Sequence, residues 1–346
     1  MKIIGCDFHP SFQQIAMLDL ETGEVSKKKL LHASGEAVEF YRSMQGEAVR
    51  VGIEATGSTR WFERLLEELG QELVMGDAGR IRKLATRKQK TDVRDADHLL
   101  ELLERGQFPA IWVPSAGERD LRELVLHRHK LVQMRTRVKN QLQHVALNEG
   151  LQKKRQLWTR PGREWLEQLR LPEWTERRRK DLLHFLDELE KKIGELDQAV
   201  VAAANQDARV QLLMTHPGVG PVTGLAFVLV VGEVGRFERS KNLSSYLGLI
   251  PSESSSGSRR RLGAISKQGN TLVRTLLVEA GQSAARWDPE LRRAYRCLCR
   301  KKQHTGTAKV MVARKLAVRL YWMWKTNQPY AAARMPSSPS HSVSAA

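Results

Sequence analysis

The sequence predicts an α/β domain followed by a mostly helical remainder, and three observations carry the prediction. Residues 2–32 alternate short apolar runs with polar residues and turns, the signature of strands. Helix-spaced apolar residues then interleave with two further short apolar runs up to about residue 76. From about Gly117 the apolar repeats fall at three- and four-residue steps, the helical period. With 346 residues, 41% of them hydrophobic, the chain has material for two or three domains and at least one sizeable core.

Taken in order, Ile3 to Cys6, Ile15 to Leu18 and Val25 to Leu31 read as three strands, with Glu21 to Glu24 as a turn, forming an antiparallel meander. A helix follows around Ala37 to Met44, then a strand at Val49 to Glu54. An amphipathic helix carries Trp61, Phe62, Leu65, Leu66 and Leu69, and Gly70 closes it as a C-terminal glycine. Leu73 to Met75 is a further short strand, and Leu99, Leu100, Leu102 and Leu103 belong to the next helix. Three hairpin strands followed by alternating helix and strand is the element order of a ribonuclease-H-like fold. Beyond Gly117, Leu121, Leu124, Val125, Leu131, Val138, Leu142 and Val145 form one helical stripe. Leu182, Leu186, Leu189, Ile193, Leu196 and Val200 keep a stricter heptad. Such a pair predicts either an antiparallel coiled-coil linker or dimer contact, or an ordinary two-helix packing within one subunit. The resulting division is residues 1–112, a linker over 113–206, a mostly helical domain over 207–330, and a Ser-, Pro- and Ala-rich disordered tail over 331–346.

A formal charge of +18 makes phosphate polyanions the expected partner, with an acidic membrane surface as the competing one. No apolar run reaches the roughly 18 residues of a spanning helix, and the first residues start a strand, so the chain reads as cytosolic. Cys6, Cys297 and Cys299 lack Cys-x-x-Cys spacing, which supports neither a disulfide framework nor a zinc site.

Acidic residues stand out against this basic background. Asp7 and Glu54 each end an apolar run, and their side chains meet at one sheet end if the two strands are neighbours. Asp92 and Asp95, three apart, share a face if Thr91 starts a helix, whereas Asp97 points elsewhere and His9 reads as incidental. Hard oxygen ligands suit Mg2+, and a pair of such ions can orient and polarise a scissile phosphate. The competing reading is that Asp92 and Asp95 only complement a helix N-terminus and that Glu54 is a loop acid.

Three other stretches invite a nucleic-acid reading. Residues 151–180 interleave Trp158, Trp165 and Trp174 with lysines and arginines, a pattern for phosphate binding and base stacking that a solvated surface over core tryptophans also explains. Gly218 and Gly220 resemble a helix-hairpin-helix turn, whose backbone N–H groups can hold a phosphate. Ser252, Ser254, Ser255, Ser256 and Ser258 crowd a loop that continues into Arg259 to Arg261. The loop is either a flexible connection or a place where a serine attacks phosphorus beside stabilising arginines.

Together the motifs resemble a known family, the DEDD-type insertion-sequence transposases related to the pilin-gene invertase, which are bridge-RNA-guided serine recombinases. The resemblance runs through Gly5 to Asp7, Gly52 to Gly57, Lys90 to Ala96, Pro217 to Pro221, Tyr246 to Leu249, Ser256 with Gly257, and Ile265 to Gly269. It implies a RuvC-like N-terminal domain, a coiled-coil linker and a C-terminal transposase domain holding a catalytic serine. On this resemblance Asp7, Glu54, Asp92 and Asp95 are the catalytic, Mg2+-binding tetrad. Ser256 is the nucleophile, being the serine followed by glycine among Ser252, Ser254, Ser255 and Ser256. The implied partners are donor and target double-stranded DNA, a structured guide RNA, and further copies of the chain in a homodimer or homotetramer. The implied location is cytoplasmic, at the nucleoid when active. A junction-resolving nuclease using the tetrad and water, or a non-catalytic nucleic-acid-binding protein, remain as other classes.

Overall fold

A computed structural model describes residues 1–85, 91–153, 156–254, 261–302 and 305–330, and the chain divides into two compact units, Met1–Val113 and Pro114–Ala346. The first is a mixed α/β domain. Strands β1 (Lys2–Phe8), β2 (Phe12–Asp19) and β3 (Val25–Leu31) precede α1 (Glu36–Arg42), β4 (Val49–Glu54), α2 (Arg60–Glu68), β5 (Glu72–Gly76), α3 (Ala78–Leu84) and α4 (Asp92–Glu104). The sheet order is β3-β2-β1-β4-β5. β1, β2 and β3 pair antiparallel, while β4 and β5 run parallel to β1, so the predicted meander and the two later strands share one sheet.

Strand alternation divides β1 between two cores. Ile4, Cys6 and Phe8 face α1 and α2, packing with Tyr41, Phe62 and Leu66. Ile3 faces α4, against Ala96 and Leu100. Gly5 lies on that second face, where a methyl group would overlap the backbone of Ala96 and Leu100. Only a residue without a side chain lets α4 cross β1 this closely. At Gly52 on β4 a methyl group would instead crowd the side chains of Leu103 and Phe108. The buried Tyr41 hydroxyl donates to Gln13 Oε1, and Gln71 Nε2 donates to the Tyr41 carbonyl, tying α1 to its neighbours. Gly70 ends α2 with φ +69°, as the sequence predicts.

Among the described residues, the second unit is helical apart from one short antiparallel strand pair. Its elements are α5 (Ala116–Asn148), α6 (Arg160–Glu167), α7 (Glu173–Gln206), α8 (Ala208–Met214), α9 (Pro221–Val231), α10 (Ser240–Tyr246), β6 (Pro251–Glu253), β7 (Leu262–Ile265), α11 (Thr271–Trp287), α12 (Pro289–Lys302) and α13 (Thr305–Thr326). Ser115 and Glu118 close a reciprocal capping box at the start of α5. α5 and α7 pack antiparallel, since Arg128 pairs with Asp197 and Lys139 with Glu190. Leu142, Ala146, Leu182, Leu183 and Leu186 fill their shared end together with Leu166 of α6.

α9 is apolar on every side and buried from Gly224 to Val231, as expected of a helix at the centre of a core. Its Phe227 and Leu229 share one core cluster with Leu213 of α8, Leu277 of α11, and Leu316, Leu320 and Tyr321 of α13. Each such side chain contributes roughly 1.5–3 kcal/mol on burial, so this cluster stabilises the unit more than any of its ion pairs. The turn between α8 and α9 is held by packing: a Cβ on Gly218 would overlap the backbone of α11 at Ala280 and Ala284.

Candidate active site

Register and alternation bring the predicted acids to one end of the first unit's sheet. β1 and β4 pair in parallel with Cys6 opposite Ile53, so Asp7 and Glu54 are the next residues along on neighbouring strands. Cys6 and Ile53 both point into the α1/α2 core, which puts Asp7 and Glu54 on the opposite face with Gly5 and Gly52. That is the face α4 covers. α4 begins at Asp92 with Thr91 as N-cap, its side chain accepting from the Arg94 N–H, so Asp92 and Asp95 both sit in the first turn. Because the middle of α4 crosses β1 at Gly5, its first turn lies over the end of β1.

The contacts bear this out for Asp7 and Asp92. His9 Nε2 is 3.0 Å from Asp7 Oδ2 and 3.7 Å from Asp92 Oδ1. One ligand atom from each of Asp7, His9 and Asp92 lies within 4.8 Å of the other two. Burial pushes the Asp7 carboxyl above the ordinary aspartate range; the His9 hydrogen bond and charge oppose this, and the charges of Asp95 and Asp92 add to it. Asp95 is therefore near enough to be felt at Asp7. Glu54 is placed by strand register. Asp97 points away, its carboxylate 2.6 Å from Lys27 Nζ on β3.

The donor set suits a hard divalent cation: carboxylate oxygens converge on one edge, and their mutual repulsion is what a bound cation relieves. His9 is the residue that sequence reasoning set aside. The signal that could have found it is its i+2 spacing from Asp7, which keeps both on one face of an extended strand.

Elsewhere the predicted residues are more scattered. Ser255, Ser256, Gly257 and Ser258 lie outside the described residues, as do Lys90 and the tail over 331–346. The serine loop is nevertheless framed: β6 and β7 flank it as an antiparallel pair, and Ser252 Oγ donates to the Ala264 carbonyl. The base of this hairpin is fixed by close backbone packing. Gly248, φ +67°, lies against Gln268, Gly269 lies against Tyr246, and Arg274 donates to the Gln268 and Gly269 carbonyls. Of the three tryptophans in the basic segment, Trp165 packs against the α5/α7 core, Trp158 lies under Lys139, and Trp174 is 79% exposed. No helix among the described residues is long and apolar enough to cross a membrane.

Comparison with known proteins gives a consistent pattern. Residues 4–149 match the DEDD transposase family of the IS110 type, and residues 210–296 match the "Transposase IS116/IS110/IS902 family". A Pseudomonas aeruginosa protein named "Probable family 20 transposase" is 28% identical over 293 residues, covering 82% of this chain and 84% of that protein. The "Transposase for insertion sequence element IS1111A" of Coxiella burnetii is 27% identical over 295 residues, 83% of this chain and 78% of that one.

Proposed function

Because the chain belongs to the DEDD-type insertion-sequence transposases, we propose that it is an RNA-guided DNA recombinase that cleaves and rejoins donor and target DNA at the carboxylate end of its first unit. The observation that carries this reading is the convergence of Asp7 and Asp92, with Asp95 one helical turn on and Glu54 on the adjacent strand. The β3-β2-β1-β4-β5 order, with three antiparallel strands followed by two parallel ones, supports a RuvC-like domain. Asp7, Glu54, Asp92 and Asp95 are the residues that would hold Mg2+. When bound, such an ion polarises the scissile phosphate and offsets the charge that develops on it.

The chain's own groups do the remainder. The Ser256 hydroxyl attacks phosphorus: the Oγ–P bond forms, a sugar oxygen leaves and takes up a proton, and the serine proton passes to a neighbouring base. Attack by the sugar hydroxyl of the other duplex reverses these steps and restores the serine. Strand choice lies with base pairing to the guide RNA, and the protein supplies cationic surface to hold the backbone. Exposed Trp174, with Arg177 and Arg178 one helical turn on, suits unpaired bases and phosphates of that RNA. The antiparallel α5/α7 pair serves as the coiled-coil element that joins copies into a homodimer or homotetramer.

The test uses cognate donor and target DNA with the guide RNA, and traps protein–DNA adducts. Ser256→Ala is expected to abolish both the adduct and strand cleavage, and Asp7→Asn to abolish cleavage. A Ser256→Ala protein that still cuts would replace the serine pathway with water attack, the junction-nuclease reading. If both variants bind and cut as the unaltered chain does, the reading is wrong altogether.

A further inference from the structure

We propose that His9 is a direct metal ligand, so that Asp7, His9 and Asp92 form a mixed nitrogen–oxygen site that favours Mn2+ over Mg2+; this rests on the carboxylate reading above. Two donors bound to one ion at roughly 2.1 Å stand about 3 Å apart when adjacent and about 4.2 Å apart when opposite. The separations of 3.0 and 3.7 Å about His9 Nε2 fall in that range, and the ligand atoms of Asp7, His9 and Asp92 all lie within 4.8 Å of one another.

The imidazole is also held for the purpose. Its ring stacks on Phe12 with centroids 4.5 Å apart and planes 20° apart, and the His9 N–H donates to the Phe12 carbonyl. A ring fixed on both its backbone and its face loses little freedom on ligation. Asp7 and His9 share a strand face while Phe8 turns into the α1/α2 core, so the strand itself presents the pair. Side-chain exposure rises from 20% at Asp7 through 35% at His9 to 51% at Asp92, which leaves an open side for a phosphate oxygen. An imidazole nitrogen among carboxylates shifts preference from Mg2+ toward first-row transition ions, of which Mn2+ keeps the highest tolerance for oxygen donors.

Electron spin-echo spectroscopy of Mn2+ bound to the full chain tests this without any activity measurement, alongside calorimetric titration with Mn2+ and Mg2+. The unaltered chain should show 14N modulation from a coordinated imidazole. His9→Gln should lose that modulation and weaken Mn2+ binding at least about 10-fold, with a smaller change for Mg2+. His9→Asp, which restores an all-oxygen set, should move the preference back toward Mg2+.

Absence of 14N modulation in the unaltered chain, or equal weakening of both ions in His9→Gln, would overturn the proposal and leave His9 as a hydrogen-bond partner of Asp7. Failure of the underlying reading looks different: Asp7→Asn would then bind Mn2+ as tightly as the unaltered chain. Circular dichroism melts of each variant confirm that the fold is retained.

Discussion

The carboxylate end of the first unit and the β6–β7 pair of the second are positioned by different means. In the first, regular elements aim the side chains: strand alternation sets Asp7 and Glu54 on one face, and a helix that starts at Asp92 lowers its first turn over them. In the second, β6 and β7 are only three and four residues long, and what fixes them is tight backbone packing at Gly248, Gln268 and Gly269. Periodicity thus positions the first region, apart from the close approach at Gly5, whereas close contact at Gly248 and Gly269, both with left-handed backbone, positions the second. A side chain added at a glycine should therefore damage the second region more than the first.

The largest expected effect follows from that contrast. Gly248→Ala combines a left-handed backbone with a methyl group driven into the Gln268 backbone, and should cost about 3 kcal/mol or more. Calorimetric melting should show the loss in the second unit's transition while the first unit's is unchanged. Gly5→Ala meets only the second of these problems and should cost about 1–3 kcal/mol. Because it displaces α4 from β1, it should also lower the rate of DNA cleavage, which a stability change alone does not produce. If Gly5→Ala melts lower but cleaves at the normal rate, the crossing of α4 over β1 does not set the carboxylate geometry.

A smaller effect has an unusual sign. Burial and neighbouring carboxylates hold the Asp7 carboxyl above its ordinary range, so its charged form opposes folding at neutral pH. Without divalent cations, Asp7→Asn should raise the melting temperature even as it destroys cleavage. The gain should be present above the folded-state pKa and shrink as pH falls through the carboxylate range, where Asp7 becomes protonated in folded and unfolded chain alike. A lowered melting temperature in Asp7→Asn would show instead that the His9 hydrogen bond outweighs the crowding. The smallest effect belongs to Asp97→Asn. Its ion pair with Lys27 is largely exposed, so the change should cost at most about 1 kcal/mol and leave cleavage within a few-fold of normal.

Much of this was legible in the chain because the responsible rules are local. The three-strand meander, β4, α2 and β5 follow from apolar spacing and turn residues, and the grouping of Asp92 with Asp95 follows from helix geometry once Thr91 is seen as a cap. Other features depend on contacts far apart in sequence. Gly5 looks like any strand glycine until α4 is laid across it. His9 is marked locally only by its spacing from Asp7, and its approach to Asp92, eighty-three positions later by subtraction of the two residue numbers, depends on the fold. Trp165 and Trp174 sit in equivalent basic surroundings, yet one is packed against a core and the other is exposed, because only the α5/α7 stacking distinguishes them. The β6–β7 pair is not legible in the sequence, since three- and four-residue strands around a serine-rich stretch leave too few alternations. Gly218, read as part of a phosphate-holding turn, has a packing role against α11 that a turn motif does not disclose.

The most direct test concerns Glu54, whose place beside Asp7 follows from the pairing of two strands. Single-turnover cleavage of cognate DNA by Glu54→Gln, an isosteric change that removes only the charge, measures whether it works with the other acids. If the carboxylates act as one metal-binding set, the cleavage rate should fall on the order of 10^3-fold or more, as in Asp7→Asn, while the melting temperature of Glu54→Gln stays unchanged. A Glu54→Gln chain that cleaves at close to the normal rate would contradict the account, because the sheet end would then not be the place where the acids converge.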